Sequence, residues 1–130
     1  MSDAEDRAGV EELATLLAER AIIVTKLAPL FALYGPGGTA ESIRKNEQMR
    51  LQGMIRALAV ATRKEGEKPP TESAIEEAAR SHKDYLDLTA RQTTERATFF
   101  TLNADLEAIE YRIQRGQALL RMFAAEARLT

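Results

Sequence analysis

The stretch TLNADLEAIEYRIQRGQALLRMFAAEARL, residues 101–129, decides the fold of this 130-residue chain. Its apolar positions follow one another at alternating spacings of three and four residues, which is the a/d pattern of a coiled coil. We call this row the C-terminal seam: Leu102, Leu106, Ile109, Ile113, Gly116, Leu120, Phe123 and Ala127. Gly116 marks either a close approach between helices or a tolerated defect in the row. The pattern predicts a long helix that directs one face at a partner.

The C-terminal seam also predicts an assembly of several subunits. A weaker continuation of the pattern begins at Tyr85. A helix from Tyr85 to Leu129 would be roughly 65 Å long. A chain of this size cannot bury such a rod in one globule, and soluble monomers rarely expose an apolar row of that length. We therefore predict an all-α, elongated helical hairpin or bundle with a coiled-coil-like last helix. It is completed by homo-oligomerisation through Leu102, Leu106, Ile109, Ile113, Gly116, Leu120 and Phe123.

The composition excludes several kinds of chemistry. The chain has no cysteine, which excludes disulfides, thiolate catalysis and cysteine-based zinc sites, and fits a reducing compartment. Its one histidine, His82, cannot by itself provide a histidine metal site. The N-terminus has no signal-peptide pattern, and no apolar run reaches the roughly 20 residues that span a bilayer. These features predict a cytoplasmic protein without a membrane segment, cofactor or metal.

Proline and glycine residues divide the chain. Pro29 predicts the end or a kink of the first helix, Gly35–Gly38 predicts a hinge, and Pro69-Pro70 ends the second helix. A threonine-rich segment either separates the third and fourth helices or bends one joined helix. The predicted helices lie near 4–28, 39–66, 73–88 and 95–129. The predicted divisions are an acidic N-terminal helix at 1–34, a Gly/Pro hinge at 35–38 and a helical hairpin or coiled-coil domain at 39–130.

Local patterns predict how these helices begin and which faces they bury. Thr39 is a candidate N-cap of the second helix. Ser73 and Glu76 form a capping box for the third helix, with Thr71 as a competing cap. The predicted buried positions of the first helix are Val10, Leu13, Leu17, Val24 and Leu27, interrupted by Arg20. Those of the second helix are Ile43, Leu51, Met54, Ile55, Leu58 and Ala61.

The residues that can carry catalysis form no recognisable site. The loop Gly35–Gly38 is followed by Thr39-Ala40 and not by the Lys-Ser/Thr pair of a phosphate-binding loop. The acids nearest to His82 are Asp84 and Asp87, at spacings that do not share a helical face with it. Paired carboxylates on the helices lack a predicted cleft. We therefore predict that the protein is not an enzyme.

A basic stretch on the second helix is the strongest candidate for binding. Its residues Arg44, Lys45, Arg50, Arg56, Arg63 and Lys64 can follow a phosphate backbone by displacing counterions. The alternative is that they are solvated positions paired with acids of a neighbouring helix. Phe99, Phe100 and Tyr111 can in principle stack on bases, although Phe99 continues the C-terminal seam. The charge pattern leaves both interpretations open.

The order of these features resembles a known family. A helix with a basic end leads to the turn Gly66–Glu72, and a helix containing Ala74–Ala79 follows. Then come His82–Tyr85 and the long leucine-spaced helix with Tyr111-Arg112. Together they resemble small phage-encoded proteins of the UvsY-like recombination-mediator kind, over about residues 40–128. The resemblance is one of architecture and loose pattern.

The resemblance implies a non-enzymatic oligomer that binds single-stranded DNA and helps to load a recombinase onto it. The implied partners are further copies of the chain, single-stranded DNA, and a recombinase or single-strand-binding protein, in the host cytoplasm if the chain is phage-encoded. The matching DNA-contacting positions are Arg56, Arg63 and Lys64. The alternative function is a helical adaptor or scaffold that acts only through protein–protein contacts.

Overall fold

The protein is built from four α-helices. A computed structural model describes residues 3–129, with side chains from residue 9 onward. Its helices are α1 (Asp3–Tyr34), α2 (Ala40–Thr62), α3 (Glu72–Ser81) and α4 (Lys83–Leu129), and no strand occurs within the described residues. The predicted all-α fold and the long C-terminal helix are confirmed.

The helices form two compact units. Unit 1 comprises Met1–Leu30 with Thr98–Thr130, and unit 2 comprises Phe31–Ala97. Both boundaries fall inside the two long helices, α1 and α4. The predicted division at a Gly/Pro hinge differs from this grouping because each long helix contributes one end to each unit.

The predicted end of the first helix at Pro29 is wrong. Helix α1 continues through Pro29 to Tyr34. Proline removes one backbone donor, whose acceptor in a regular helix would be the carbonyl of Thr25. Both residues are exposed, so water can satisfy that carbonyl.

The turn between α1 and α2 depends on two glycines. Gly37 has φ +72°, a left-handed conformation that other residues rarely adopt. A Cβ at Gly38 would collide with the carbonyl oxygen of Leu33. The amide of Thr39 donates to the Ala32 carbonyl at 3.2 Å, which closes the turn onto α1. Thr39 occupies the N-cap position as predicted, but its side chain makes no capping hydrogen bond.

The cap of α3 is the competing candidate, Thr71. Its hydroxyl accepts a hydrogen bond from the amide of Ala74 at 3.1 Å. The Ser73–Glu76 capping box is wrong because α3 already begins at Glu72. All residues from 63 to 71 are exposed, and Gly66 has φ +84° in this connection.

The boundary between the last two helices lies at His82 and not in the threonine-rich segment. His82 is extended, with ψ 141°, and its Nδ1 accepts a hydrogen bond from the Asp84 amide at 3.1 Å. It therefore caps the start of α4. The hydroxyls of Thr89 and Thr93 donate to carbonyls four residues earlier, both at 2.9 Å, so this part of α4 stays helical.

In unit 1, α1 lies antiparallel to the C-terminal part of α4. The buried residues described here are Leu16, Leu27, Phe99 and Ile113. Arg20, which was predicted to interrupt the apolar row, donates to Glu110 Oε1 at 3.2 and 3.3 Å. The predicted register of α1 is therefore partly wrong: the packed face contains Leu13, Leu16 and Leu27, whereas Val10, Leu17 and Val24 are exposed.

Gly116→Ala is expected to stabilise the protein. A Cβ at Gly116 would lie 3.9 Å from Leu13 Cδ1, an ordinary van der Waals contact, so the tolerated defect is the better interpretation of this glycine. Alanine is worth up to about 1 kcal/mol over glycine inside a helix. Urea denaturation followed by circular dichroism measures the gain. Gly53→Ala in α2 meets open space and is the matched control with a similar gain. A loss of stability for Gly116→Ala alone would indicate tight packing.

In unit 2, α2, α3 and the first part of α4 share a small core. Its buried members are Ala40, Leu51, Ile75, Ala79, Leu88 and Gln92. The Gln92 side-chain amide donates to the Ala40 carbonyl at 2.9 Å, while its Oε1 has no hydrogen-bond partner. Of the predicted buried positions on α2, Leu51 is confirmed and Ile55 is half-buried, whereas Ile43, Met54, Leu58 and Ala61 are exposed.

The end of α1 is attached to α4 within unit 2 by Tyr34. The Tyr34 hydroxyl donates to Glu95 Oε2 at 3.3 Å, and the Arg96 guanidinium lies 5.6 Å from the centre of the tyrosine ring. Burial raises the pKa of the Tyr34 hydroxyl above its ordinary value, and the neighbouring Glu95 carboxylate raises it further. The hydroxyl therefore stays a donor in this contact.

Candidate nucleic-acid interface

The solvent-facing side of α2 carries cations and apolar residues in one row. We call this set the α2 outer row: Lys45, Met49, Arg56, Val60 and Arg63. At about 100° per residue these positions fall within roughly 60° of one another around the helix. All five are exposed, Met49 at 67% and Val60 at 78%. The row contains no acidic residue.

The cations of the α2 outer row already contact oxygen atoms of the chain. Lys45 Nζ lies 3.5 Å from Glu41 Oε1 on the same helix. The Arg56 guanidinium donates to both carboxylate oxygens of Glu72, one of them at 2.9 Å. Arg63 donates to a backbone carbonyl of the loop after α2 at 2.8 Å. These cations are exposed, so the pairs contribute little to stability and can exchange for an external anion.

Arg50 lies off this row and is the most strongly paired of the predicted cations. It donates to Glu47 at 2.6 and 3.1 Å and to Asp84 at 3.2 Å. The hydrogen bond from Arg50 holds the pKa of Glu47 below its ordinary value, and the same bond raises the pKa of Arg50. Arg50 is therefore committed to carboxylates of its own chain.

The other two predicted cations lie apart from the row. Arg44 is half-buried, on the side of α2 that faces the core of unit 2. Lys64 is exposed just beyond the end of α2, and its backbone amide donates to Glu67 Oε2 at 3.3 Å. The structure thus brings three of the six predicted residues, Lys45, Arg56 and Arg63, onto one face.

Pairing of these cations with acids of a neighbouring helix was the stated alternative, and the contacts of Arg56 with Glu72 and of Arg50 with Asp84 are of that kind. The individual carboxylates were not identified from the sequence. The pairs of Glu41 with Lys45 and of Glu47 with Arg50 have the four- and three-residue spacings that neighbours on a helix adopt, so the sequence contains their signal. No sequence signal locates Glu72 against Arg56. That contact depends on how α3 folds back on α2.

The predicted stacking residues do not form an aromatic platform in unit 2. Phe99 is buried in unit 1, with its ring centre 5.8 Å from that of Phe100. Phe100 and Tyr111 are exposed, also in unit 1. Helix α2 contains no aromatic residue. A nucleic acid on the α2 outer row would therefore meet charge without base stacking.

Unit 1 contains the C-terminal seam, and the structure uses that seam within one chain. Ile113 is 7% exposed, and its seam neighbours are half-buried: Leu102, Leu106, Ile109, Gly116, Leu120 and Phe123. The premise that the seam faces water in a single chain is therefore wrong, because α1 packs on part of it. Homo-oligomerisation stays a prediction.

A groove of about 520 Å³ lies between α1 and α4 in unit 1. Gly9 and Gly116 are among the residues that line it. Arg112 and Arg115 also line the groove, and the Arg112 guanidinium lies 3.8 Å from Glu12. The groove combines an apolar floor with cations.

Residues 3–129 contain neither a candidate metal site nor a candidate membrane span. This part of the chain has no group of three or more histidine, aspartate or glutamate side chains placed to hold a metal ion. None of its helices combines the length and apolarity needed to cross a lipid bilayer.

Comparison of the chain with protein families, curated proteins and solved structures finds no match to any of them.

Proposed function

We propose that the protein is a non-enzymatic helical adaptor whose α2 outer row binds an acidic, partly apolar segment of a protein partner. The observation that carries this proposal is the alternation of exposed Met49 and Val60 with Lys45, Arg56 and Arg63. Protein interfaces combine apolar contacts with polar and charged ones, and the α2 outer row offers both kinds of side chain. The cations around Met49 and Val60 select a partner with carboxylates.

The contact between Arg56 and Glu72 illustrates how the α2 outer row can bind a carboxylate of a partner. Guanidinium groups form strong charge-assisted hydrogen bonds to carboxylates, and one nitrogen of Arg56, Nη2, donates to both oxygens of Glu72. A partner carboxylate can replace Glu72 because both side chains are about half exposed or more. Meanwhile Met49, with its flexible thioether side chain, can adapt to apolar groups of differing shape.

A second candidate function is the binding of single-stranded DNA with loading of a recombinase, as the family resemblance implies. The three cations of the α2 outer row favour it, since cations that exchange Glu41 and Glu72 for phosphates can follow a phosphate backbone. Exposed Lys64 extends the charge beyond Arg63. Oligomerisation would multiply a weak site without new contacts. The lack of aromatic residues on α2 favours the adaptor instead.

A binding titration with two probes separates these functions. The first probe is a fluorescent acidic amphipathic peptide with glutamate and leucine at helical spacing, and its control replaces glutamate by glutamine. The second is a fluorescent poly-dT oligonucleotide at low salt. The adaptor is expected to bind the acidic peptide and neither the control peptide nor the oligonucleotide. Selective binding of the oligonucleotide would support the DNA-binding function and contradict the adaptor.

The double variant Met49→Gln/Val60→Gln is expected to weaken peptide binding by about tenfold or more, because it removes the apolar part of the α2 outer row. Leu58→Gln is the matched control, since Leu58 is 62% exposed but lies outside the row. Anisotropy measures binding, and circular dichroism checks that all variants stay helical.

The DNA-binding function predicts a different pattern. Its affinity would fall with salt at a slope of about −0.7 per phosphate neutralised and would be insensitive to Met49→Gln/Val60→Gln. It would be lost when Arg56, Arg63 and Lys64 are neutralised together.

Peptide binding that survives the double variant Met49→Gln/Val60→Gln would contradict the adaptor site on α2.

A further inference from the structure

The groove in unit 1 has a charged part and an apolar part. On α4 the cations Arg112 and Arg115 line it, and Leu119, Leu120 and Phe123 follow along the same helix. From Arg112 to Phe123 the helix rises by roughly 16 Å. The groove is therefore long enough to hold a ligand whose charged group and apolar part lie at different ends.

Helix α1 supplies the facing wall of the groove. Leu13 is half-buried and Leu16 is 4% exposed, so both add to the apolar lining. Glu12 is the one acid among the described residues that line the groove. Two arginines and one glutamate give this lining a net charge of +1. A ligand with a single negative charge would neutralise it.

The two arginines of the groove have hydrogen-bond donors to spare. The guanidinium of Arg112 lies 3.8 Å from Glu12 Oε1, which is longer than a hydrogen bond, and both side chains are more than half exposed. Arg115 forms no ion pair with any described residue. Residues three apart on a helix are neighbours on its surface. One anionic group can therefore accept hydrogen bonds from both guanidinium groups.

We propose that this groove binds a linear amphiphilic carboxylate of the fatty-acid class. Its carboxylate accepts hydrogen bonds from Arg112 and Arg115, and its alkyl chain runs along the groove towards Phe123. The volume of about 520 Å³ lies within the range of about 300–1,000 Å³ for small-molecule sites. Such sites are mainly apolar, with a few polar groups that fix the orientation of the ligand, and the groove has this composition.

The charge and the apolar wall together select this ligand class. A multiply charged anion such as a nucleotide would exceed the net charge of the lining and would leave Leu119 and Phe123 without an apolar contact. A neutral alkyl compound would leave the arginine donors unused. The groove lies entirely in unit 1, so this inference does not rest on the function proposed for α2 in unit 2. Failure of either binding assay leaves the other proposal intact.

Calorimetric titration with probes of one chain length tests the ligand class. The probes are decanoate, decanol and decyltrimethylammonium, each below its micelle-forming concentration, together with acetate as a carboxylate without the chain. We expect decanoate to bind once per chain and at least about tenfold more tightly than decanol, because a charge-assisted hydrogen bond is worth about 1.5–3 kcal/mol. Acetate and the cationic amphiphile should bind more weakly still.

Three outcomes of this titration would overturn the proposal. The first is no binding of decanoate, as when another subunit fills the groove. The second is equal affinity for decanoate and decanol, since the arginines would then select nothing. The third is binding to anionic lipid vesicles without binding of free decanoate, which would indicate contact with a membrane surface.

Two substitutions with matched controls test the place of binding. Arg115→Gln should weaken decanoate binding by about tenfold, whereas Arg121→Gln should leave it unchanged, because Arg121 is exposed on the same helix but does not line the groove. Leu119→Gln should also weaken binding, and Met122→Gln should not. Leu119 and Met122 are 39% and 51% exposed, so both variants are expected to fold, as circular dichroism can verify.

Charge reversal gives the most selective test of the head-group position. Arg115→Glu leaves one arginine against two glutamates, so the net charge of the lining becomes −1. This variant is expected to prefer decyltrimethylammonium to decanoate, the reverse of the wild-type order. An unchanged order would overturn the proposal. Equal losses for Arg115→Gln and Arg121→Gln would do the same, because they would indicate a general attraction of anions to the cations of α4.

Discussion

Ile113→Asp is expected to lower the free energy of unfolding by about 3–5 kcal/mol, the range for an uncompensated buried charge. Ile113 is 7% exposed. It lies in unit 1 on the C-terminal part of α4, where Phe99 is also buried. Small domains are stable by only about 5–15 kcal/mol, so the variant should lose a large fraction of its stability and unfold at a much lower urea concentration. Urea denaturation followed by circular dichroism gives the difference. Because Ile113 is buried within one chain, the charge should weaken folding itself and not only an association between subunits.

Gln114→Asp is the matched control for this variant, because Gln114 is the exposed neighbour of Ile113 on the same helix. Its stability should change by no more than about 0.5 kcal/mol. An Ile113→Asp protein as stable as Gln114→Asp would mean that Ile113 is not buried in solution.

Gln92→Glu is expected to destabilise unit 2 by about 3 kcal/mol or more at neutral pH. The substitution keeps the shape of a buried side chain but replaces the amide that donates to the Ala40 carbonyl by a carboxylate. The new carboxylate oxygen and the Ala40 carbonyl oxygen are then both acceptors, and no proton lies between them. The loss combines an unpaired carbonyl with a buried charge.

The loss should depend on pH with a definite sign. Burial raises the folded-state pKa of the new carboxyl above its unfolded value of about 4.3. The variant is therefore closest to wild type below that value, where the protonated carboxyl can donate to Ala40. It loses stability as the pH rises through the folded-state pKa. Unfolding free energies of variant and wild type, measured in parallel at several pH values, give the difference.

Gln92→Leu is the control for this series. It also leaves the Ala40 carbonyl without its donor, but it adds no titratable group, so its difference from wild type should not vary with pH. A Gln92→Glu difference that is equally flat would show that the carboxyl reaches water.

The all-α fold could be predicted because the periodicity of the C-terminal seam is a local property of the chain. The face that α1 buries could not be predicted. Its apolar band contains two interleaved rows, and the predicted set of Val10, Leu13, Leu17, Val24 and Leu27 mixes residues of both. Spacing identifies rows, but only the position of α4 decides which row is packed. Similarly, the helix boundary at His82 depends on a side-chain cap with no strong sequence pattern.

The candidate site, like the fold, was predictable only where it depends on residue spacing within one helix. The face shared by Arg56 and Arg63 follows from their seven-residue spacing. The partner of Arg56 does not, because Glu72 belongs to another helix and reaches it only after the chain turns back. Charges counted along a sequence therefore overstate the positive potential that a ligand meets. Contacts between helices decide how much of it remains.

The two connections on either side of α2 differ in what they allow an engineer to add. The turn before α2 is closed by hydrogen bonds onto α1, and Gly38 leaves no room for even a methyl group. The connection after α2 is exposed throughout, and a Cβ added at Gly66 would meet nothing within 4 Å. Inserted sequence is tolerated where backbone is exposed and little packed. An epitope or fluorescent label therefore belongs beside Gly66, where it leaves the buried residues of both units in place.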